Sequence, residues 1–206
     1  LSASSDIAFP KKLSLYFSIL NMLTRQLINV PVHLGLEHYP NIYCGVAVFL
    51  LYPLYVMDKD INLCEKIGKS VLLLVFLTAF NLNIPNFIWH GFHYPNSLPC
   101  RQSFIYIFFL LTMCYEALSH IKRMTSRQLG IAVWISLGLL VLIEQVFAVD
   151  ETYDFKAIYL SGAFILVYAG LMIVYNKTNW KLPVTVFLAF IVCIIECTIN
   201  MDSTGI

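Results

Sequence analysis

The sequence predicts an all-α polytopic membrane protein, with about six transmembrane helices preceded by an N-terminal amphipathic interfacial helix. Three observations carry this. Of 206 residues, 59% are hydrophobic and 12% charged, and mean hydropathy is +0.76. A soluble domain is nearer half apolar and a quarter charged. Six apolar runs approach the length a helix needs to cross a ~30 Å hydrocarbon core: 41–57, 69–84, 103–119, 129–147, 157–175 and 183–199. None alternates as a strand does, and an open sheet in lipid would leave its backbone edges unsatisfied. The net charge of +1 offers no basic field for nucleic acid.

Residues 1–40 form an external segment, 41–199 the six-helix transmembrane region of a larger domain, and 200–206 the start of an external loop or tail. Because Leu1 is not an initiator methionine and the chain stops just past an apolar run, it reads as a piece of something longer. Within 10–28, Leu13, Tyr16, Phe17, Leu20, Leu23 and Leu27 recur at helical spacing and Pro10 suits a first turn. That pattern predicts a helix lying along the outer membrane surface, or packed in an external domain. Pro53 sits inside the first span and predicts a kink or unwound turn.

Sidedness follows from loop charge. Lys59, Lys66, Lys69, Lys122, Arg123, Arg127, Lys177 and Lys181 flank alternate loops, against Lys11, Lys12, Arg25, Arg101 and Lys156 on the other side. The excess places the first group in the cytoplasm and both chain ends outside. Six cysteines (Cys44, Cys64, Cys100, Cys114, Cys193 and Cys197) form no CxxC and read as small apolar fillers. Cys193 and Cys197 stand one helical turn apart, but no further soft ligand accompanies them.

Ionisable groups inside spans are costly and usually face a cavity or a partner. Glu116, four residues before His120 and close to Lys122 and Arg123, predicts a snorkelling contact or a local ion pair. Glu144 and Glu196 lie near the outer ends of their spans, where interfacial placement and a functional role both fit.

They share that side with the most polar loop of the chain, 85–102, in NFIWHGFHYPNSLPCRQSF. Arg101 offers a planar, permanently charged fork suited to phosphate. His90 and His93 could donate to phosphate, move a proton or bind metal. Asn86, Tyr94 and Asn96 add neutral groups suited to sugar hydroxyls, while Gly91, Pro95 and Pro99 shape the backbone. HxxH without a nearby third ligand seldom makes a closed metal site, so no metal is assigned here. The same residues could equally serve a solvated turn between helices.

The stretch NFIWHGFHYPNSLPCRQSFIYIFFLL resembles the HGFxxPNxxPxRFSF segment of bacterial YfhO-type membrane proteins, of the GT-C glycosyltransferase superfamily. YPNIYCG at 39–45 is similar to that family's PNIYxG stretch, with Asn41 and Tyr43 matched, and is followed by a similar PLY turn at 53–55. Glu196 and Asn200 of ECTIN resemble the end of a family helix. Gln102, Cys100 and Glu116 depart from the pattern, whereas His90, His93, Asn96 and Arg101 keep it.

The resemblance implies a multi-pass bacterial cell-membrane enzyme that transfers a sugar from a polyprenyl-phosphate carrier to a cell-envelope polymer of the teichoic-acid type. It implies that the catalytic acidic residue, often with a divalent metal, lies upstream of Leu1. This piece would then hold no catalytic residue or cofactor of its own and be inactive alone. Its expected carrier-phosphate contacts are Arg101, His93, His90, Asn96 and Tyr94, supported on the outer face by Glu144, Glu196, Asn41 and Tyr43. The alternatives are a transporter or flippase module for lipid-linked or anionic solutes, which should show a midplane site and repeated halves, and a scaffolding subunit.

Overall fold

A computed structural model describes residues 9–31, 39–93, 100–147, 154–178 and 181–204. Those residues are all-helical apart from one isolated bridge between Leu15 and Leu82. The helices are α1 (Ile19–Thr24), α2 (Val48–Met57), α3 (Leu63–Asn81), α4 (Asn83–Trp89), α5 (Ser103–Ser119), α6 (Ser126–Phe147), α7 (Lys156–Lys177) and α8 (Leu182–Thr204), with a 3₁₀ turn at Ile121–Arg123. Three are long and apolar enough to cross a membrane: Ser126–Phe147, Lys156–Lys177 and Leu182–Met201. The expected spans at 41–57 and 103–119 become shorter apolar helices. The run at 69–84 becomes α3, which starts six residues earlier and brings Glu65 and Lys66 into the helix, and then breaks into α4.

α2 is the hub, packed against α5, α6 and α7. Its sequence VFLLYPLYVM is apolar on every side, and Val48, Phe49, Leu50, Leu51, Pro53, Leu54 and Tyr55 are all buried. Pro53 sits inside this helix without a cis bond. Proline has no N–H, so the carbonyl four residues earlier, that of Phe49, loses its helical donor. The Ser136 hydroxyl of α6 lies 2.8 Å from that oxygen and 2.7 Å from the Ala132 carbonyl of its own helix, so its one hydrogen, shared between them, offers the Phe49 carbonyl a part-time replacement. A neighbouring helix thus repairs the ladder, as buried helix breakers require.

The first span is also shorter than its apolar run because 39–47 is not helical. Gly45 turns there at φ 93°, and Ile42 and Val46 are buried. The N-terminal segment differs more from its expected form. Only Ile19–Thr24 of the 10–28 pattern is helical, capped by the Ser18 hydroxyl accepting from the Asn21 N–H at 3.1 Å. The part before it runs extended, pinned by asparagines of the α3–α4 junction. Asn83 Oδ1 accepts from the Ser14 N–H at 2.9 Å, Asn81 Oδ1 from the Phe17 N–H at 3.1 Å, and Asn86 Nδ2 donates to the Tyr16 hydroxyl at 3.2 Å. The part after α1 enters the bundle, with Arg25, Gln26, Leu27 and Ile28 buried. Long-range hydrogen bonds to the backbone override the helical spacing.

One end of the bundle is closed by polar clasps between loops. His120 Nδ1 lies 2.7 Å from Asp58 Oδ2, Arg123 donates to Asp60 at 2.7 Å, and Gln128 Nε2 donates to the Met57 carbonyl at 2.8 Å. Asn176 Nδ2 donates to the Ile121 and Met124 carbonyls at 2.7 and 2.9 Å. This is the end that loop charge is expected to place in the cytoplasm. Asp60 is held below the ordinary carboxylate range by the Arg123 hydrogen bond. Glu116 pairs with Lys69 of α3, which also meets Glu65 at 2.6 Å. The expected local pair with His120, Lys122 or Arg123 is therefore replaced by a bridge between helices.

A carboxylate at the break in the first span

α8 exposes apolar side chains along most of its length, among them Val186, Phe187, Phe190, Ile194 and Ile195. Its single buried side chain among residues 182–201 is Glu196, at 1% exposure. A helix whose one fully buried side chain is a glutamate, with Val192 and Ile199 only partly buried against the core, has a polar reason to pack.

The reason is the break at 39–47. The Tyr43 hydroxyl donates to Glu196 Oε1 at 2.7 Å, and the Val46 N–H donates to the same oxygen at 2.7 Å. The Tyr168 hydroxyl of α7 donates to Oε2 at 2.6 Å. Val46 lies just before α2, so the carboxylate sits at the positive end of that helix and accepts one of its unpaired N–H groups. Gly45 allows the approach. A Cβ there would lie 3.8 and 3.9 Å from the two carboxylate oxygens. Among the described residues no cationic side chain pairs with Glu196.

Two further contacts hold the same region. Asn200, one turn beyond Glu196, accepts from the Asn29 N–H at 3.0 Å, and the Ser161 hydroxyl accepts from the Ile28 N–H at 3.2 Å. Arg25 donates to Asn41 Oδ1 at 2.8 Å and to the Pro40 carbonyl at 3.3 Å, with its guanidinium 5.9 Å from the Tyr39 ring centroid. Irregular backbone within a membrane bundle is tolerated only where protein groups satisfy it, and these side chains satisfy both irregular stretches.

Of the residues singled out in the sequence, Glu196, Tyr43 and Asn41 therefore belong to one region. Glu144 is half-buried on α6 and joins none of these contacts. His90 caps the end of α4, its Nδ1 2.8 Å from the Asn86 carbonyl. His93 is exposed, with Nδ1 2.7 Å from the Gly91 carbonyl. Arg101 is exposed just before α5. None of these three touches Glu196, whose contacts are Tyr43, Val46 and Tyr168. Tyr94 and Asn96 lie outside the described residues. Asn86 is buried against Tyr16, so its amide serves the fold rather than a ligand. Burial pushes the neighbouring Cys100 thiol up to about 12, which keeps it protonated and unreactive.

The two polar groups do share one end of the molecule. The Asp58–His120 and Asp60–Arg123 contacts bring the C-terminal ends of α2 and α5 together. The opposite ends of these helices carry Val46 with Glu196, and Arg101. Sequence reasoning missed Tyr168 and Arg25. Tyr168 sits in an apolar run as any packed tyrosine does, and Arg25 looked like a solvated position on a surface helix.

The fold is that of an α-helical membrane protein with three helices long and apolar enough to span, in which irregular backbone is held by side chains. The family profile of the bacterial membrane protein YfhO matches residues 5–205, and the chain belongs to that family. No curated protein and no solved structure gives a significant match.

Proposed function

We propose that the chain is part of a membrane glycosyltransferase that moves a sugar from a polyprenyl-phosphate carrier to a cell-envelope acceptor of the teichoic-acid type, outside the cytoplasm. The observation that carries the reading is the polarity of the two ends. At one end Asp58, Asp60, His120 and Arg123 clasp loops to one another, while Arg101, just before α5, and His93, after α4, are exposed. Arg101, at the start of α5, neutralises the leaving phosphate as the sugar departs. His93 donates a second hydrogen bond there or orients the acceptor. His90, Tyr94 and Asn96 complete the phosphate and sugar contacts. Glu196 and Tyr43 act at one remove, fixing the backbone of 39–47, and Asn41 anchors Arg25 in the same stretch.

A divalent metal, where the enzyme uses one, is not held at this end by the described residues. The only group of three potential ligands among them, Asp58, Asp60 and His120, lies at the end expected to be cytoplasmic. Its carboxylates are already engaged by His120, by the Asp60 N–H and by Arg123.

Sugar transfer in membranes carrying the full-length protein tests the assignment. At matched expression, Arg101→Ala is expected to lower transfer by about tenfold or more, the scale of a lost charge-assisted hydrogen bond at a developing anion. Near-normal transfer would remove Arg101 from the mechanism. A second reading, a flippase for lipid-linked solutes, is favoured by one observation: a buried carboxylate at a helix break without a cationic partner. It predicts carrier movement across vesicles with no acceptor present, whereas the transferase predicts none.

A further inference from the structure

A cavity of about 460 Å³ opens between α2, α3, α5 and α6. Its walls are aliphatic, with Leu73, Leu74, Leu77, Leu110, Ile135 and Leu139 among them. Gln26, from the buried stretch after α1, also lines it. Gln26 is 4% exposed, and its Oε1 accepts from the Cys44 thiol at 3.6 Å. Its amide nitrogen faces the Tyr106 hydroxyl, which takes at most one of its two hydrogens, and among the described residues no other acceptor stands within reach of the second. A buried amide donor left open at an apolar cavity is costly unless something accepts from it.

We infer that this cavity is a binding site for a lipid with a single long hydrocarbon chain, whose head-group oxygen accepts from the Gln26 amide. This deepens the carrier reading above by placing the carrier's hydrocarbon between four named helices. The size of the space selects the class. With each methylene taking roughly the ~30 Å³ share of a water molecule, the cavity holds about fifteen such groups. That is one chain, and a diacyl lipid would leave its second chain outside. A further transmembrane helix is about 10 Å across and 30 Å long, several times too large to enter.

The polar end faces the right way. Tyr106 stands one turn inside the start of α5, the end that carries Arg101, and the lining runs along α2 from Val48 to Met57. At 1.5 Å per residue that is about 13 Å of depth. A chain seated there points its head toward the outer interface and its tail toward the bilayer centre. The Tyr52 hydroxyl near the far end is already committed to Ser70 at 3.2 Å, so Gln26 supplies the open donor.

Photolabelling of the full-length protein in nanodiscs with a diazirine-tagged polyprenyl phosphate lacking any sugar tests the site. The expected result is labelling concentrated on 48–57, 70–77 and 106–110 and displaced by untagged carrier. Leu110→Trp and, as a second variant should the first not fold, Leu139→Phe are expected to weaken it severalfold by obstructing the space. Gln26→Leu is expected to weaken binding about fivefold, the worth of one hydrogen bond. Labelling that follows lipid exposure, so that Phe187 and Phe190 on α8 react as strongly, would overturn the proposal. So would labelling unchanged in both filled variants, no labelling because another part of the chain occupies the space, or equal displacement by diacyl phosphatidylglycerol. Because the probe carries no sugar, near-normal transfer in Arg101→Ala with labelling intact would count against the transferase reading alone.

Discussion

Replacing Glu196 by alanine removes the acceptor shared by three donors, the buried Val46 N–H and Tyr168 hydroxyl and the half-buried Tyr43 hydroxyl. Hydrogen bonds within membrane proteins average about 0.6 kcal/mol by double-mutant cycles, so three give a floor of about 2 kcal/mol. A buried donor left unsatisfied costs about 1–3 kcal/mol, so a rigid site that cannot rearrange gives about 6. Glu196→Ala is therefore expected to destabilise the fold by about 2–6 kcal/mol. Glu196→Gln keeps the shape and one acceptor oxygen but returns an N–H₂ to a site made of donors. It should cost less, about 1–2 kcal/mol, provided one tyrosine hydroxyl rotates to accept. The assay is reversible unfolding of the purified protein in mixed micelles. The control is Glu144→Ala, half-buried and outside these contacts, expected within about 0.5 kcal/mol of the parent. A cycle of Glu196→Gln with Tyr168→Phe should show coupling of about 1 kcal/mol, because the two side chains are in direct contact. Coupling of zero, or Glu196→Ala as stable as the control, would refute the argument that this carboxylate holds the break.

Other outcomes follow from single contacts. Gly45→Ala should cost about 1–2 kcal/mol through its left-handed backbone alone, since the added Cβ meets nothing closer than 3.8 Å; an unchanged unfolding midpoint would show that 39–47 can turn another way. Ser136→Ala should cost about 1 kcal/mol by leaving the Phe49 carbonyl without its donor, and Pro53→Ala in the same chain should recover part of it by restoring an N–H. A double variant as unstable as the sum of both singles would show that Ser136 does not repair the proline break. Arg123→Ala should return the Asp60 carboxyl to its ordinary range, read by carboxylate infrared titration. Because the folded value is the lower one, the pair's contribution is present above the unfolded value near 4. It fades as pH falls through the folded value, and an unmoved Asp60 midpoint would contradict the contact. A cysteine introduced at Ser97, in a chain lacking Cys100, should react with an impermeant maleimide in intact cells; reaction only after permeabilisation would invert the topology.

The helices read best from the sequence are those whose own residues decide them. α6, α7 and α8 are long apolar runs, and their lengths alone forbid most alternatives. The failures share a cause in partners far along the chain. Leu13, Tyr16 and Phe17 have helical spacing, yet the asparagines of NLNIPN, some seventy residues later, take the backbone N–H groups of Ser14 and Phe17 and hold the stretch extended. The 41–57 run lost its first turns because Glu196, 150 positions away, offers Val46 an acceptor where a preceding turn would have been. Glu196 itself was legible, since a carboxylate in an apolar run demands a partner. Tyr168 was not, because its hydroxyl costs nothing in composition and declares itself only when something stands 2.6 Å away.

The same contrast bears on where chemistry can sit. At the end expected to be cytoplasmic, several polar side chains bind loops to one another: His120 with Asp58, Arg123 with Asp60, Lys122 with the Tyr175 and Thr178 carbonyls. At the other end the bracing is done from within, by Glu196, Asn200, Ser161 and the Asn81–Asn86 amides acting on backbone N–H groups and on Tyr16. That arrangement lets the irregular stretches keep one shape without drawing on the exposed side chains beside them. A phosphate-bearing substrate needs charges that can exchange water for ligand without unfolding their own support. On the transferase proposal, Arg101 and His93, both exposed, are the candidates for that role; a variant of either is then expected to lower transfer more than it lowers the unfolding midpoint, whereas a variant of Glu196 is expected to lower both together.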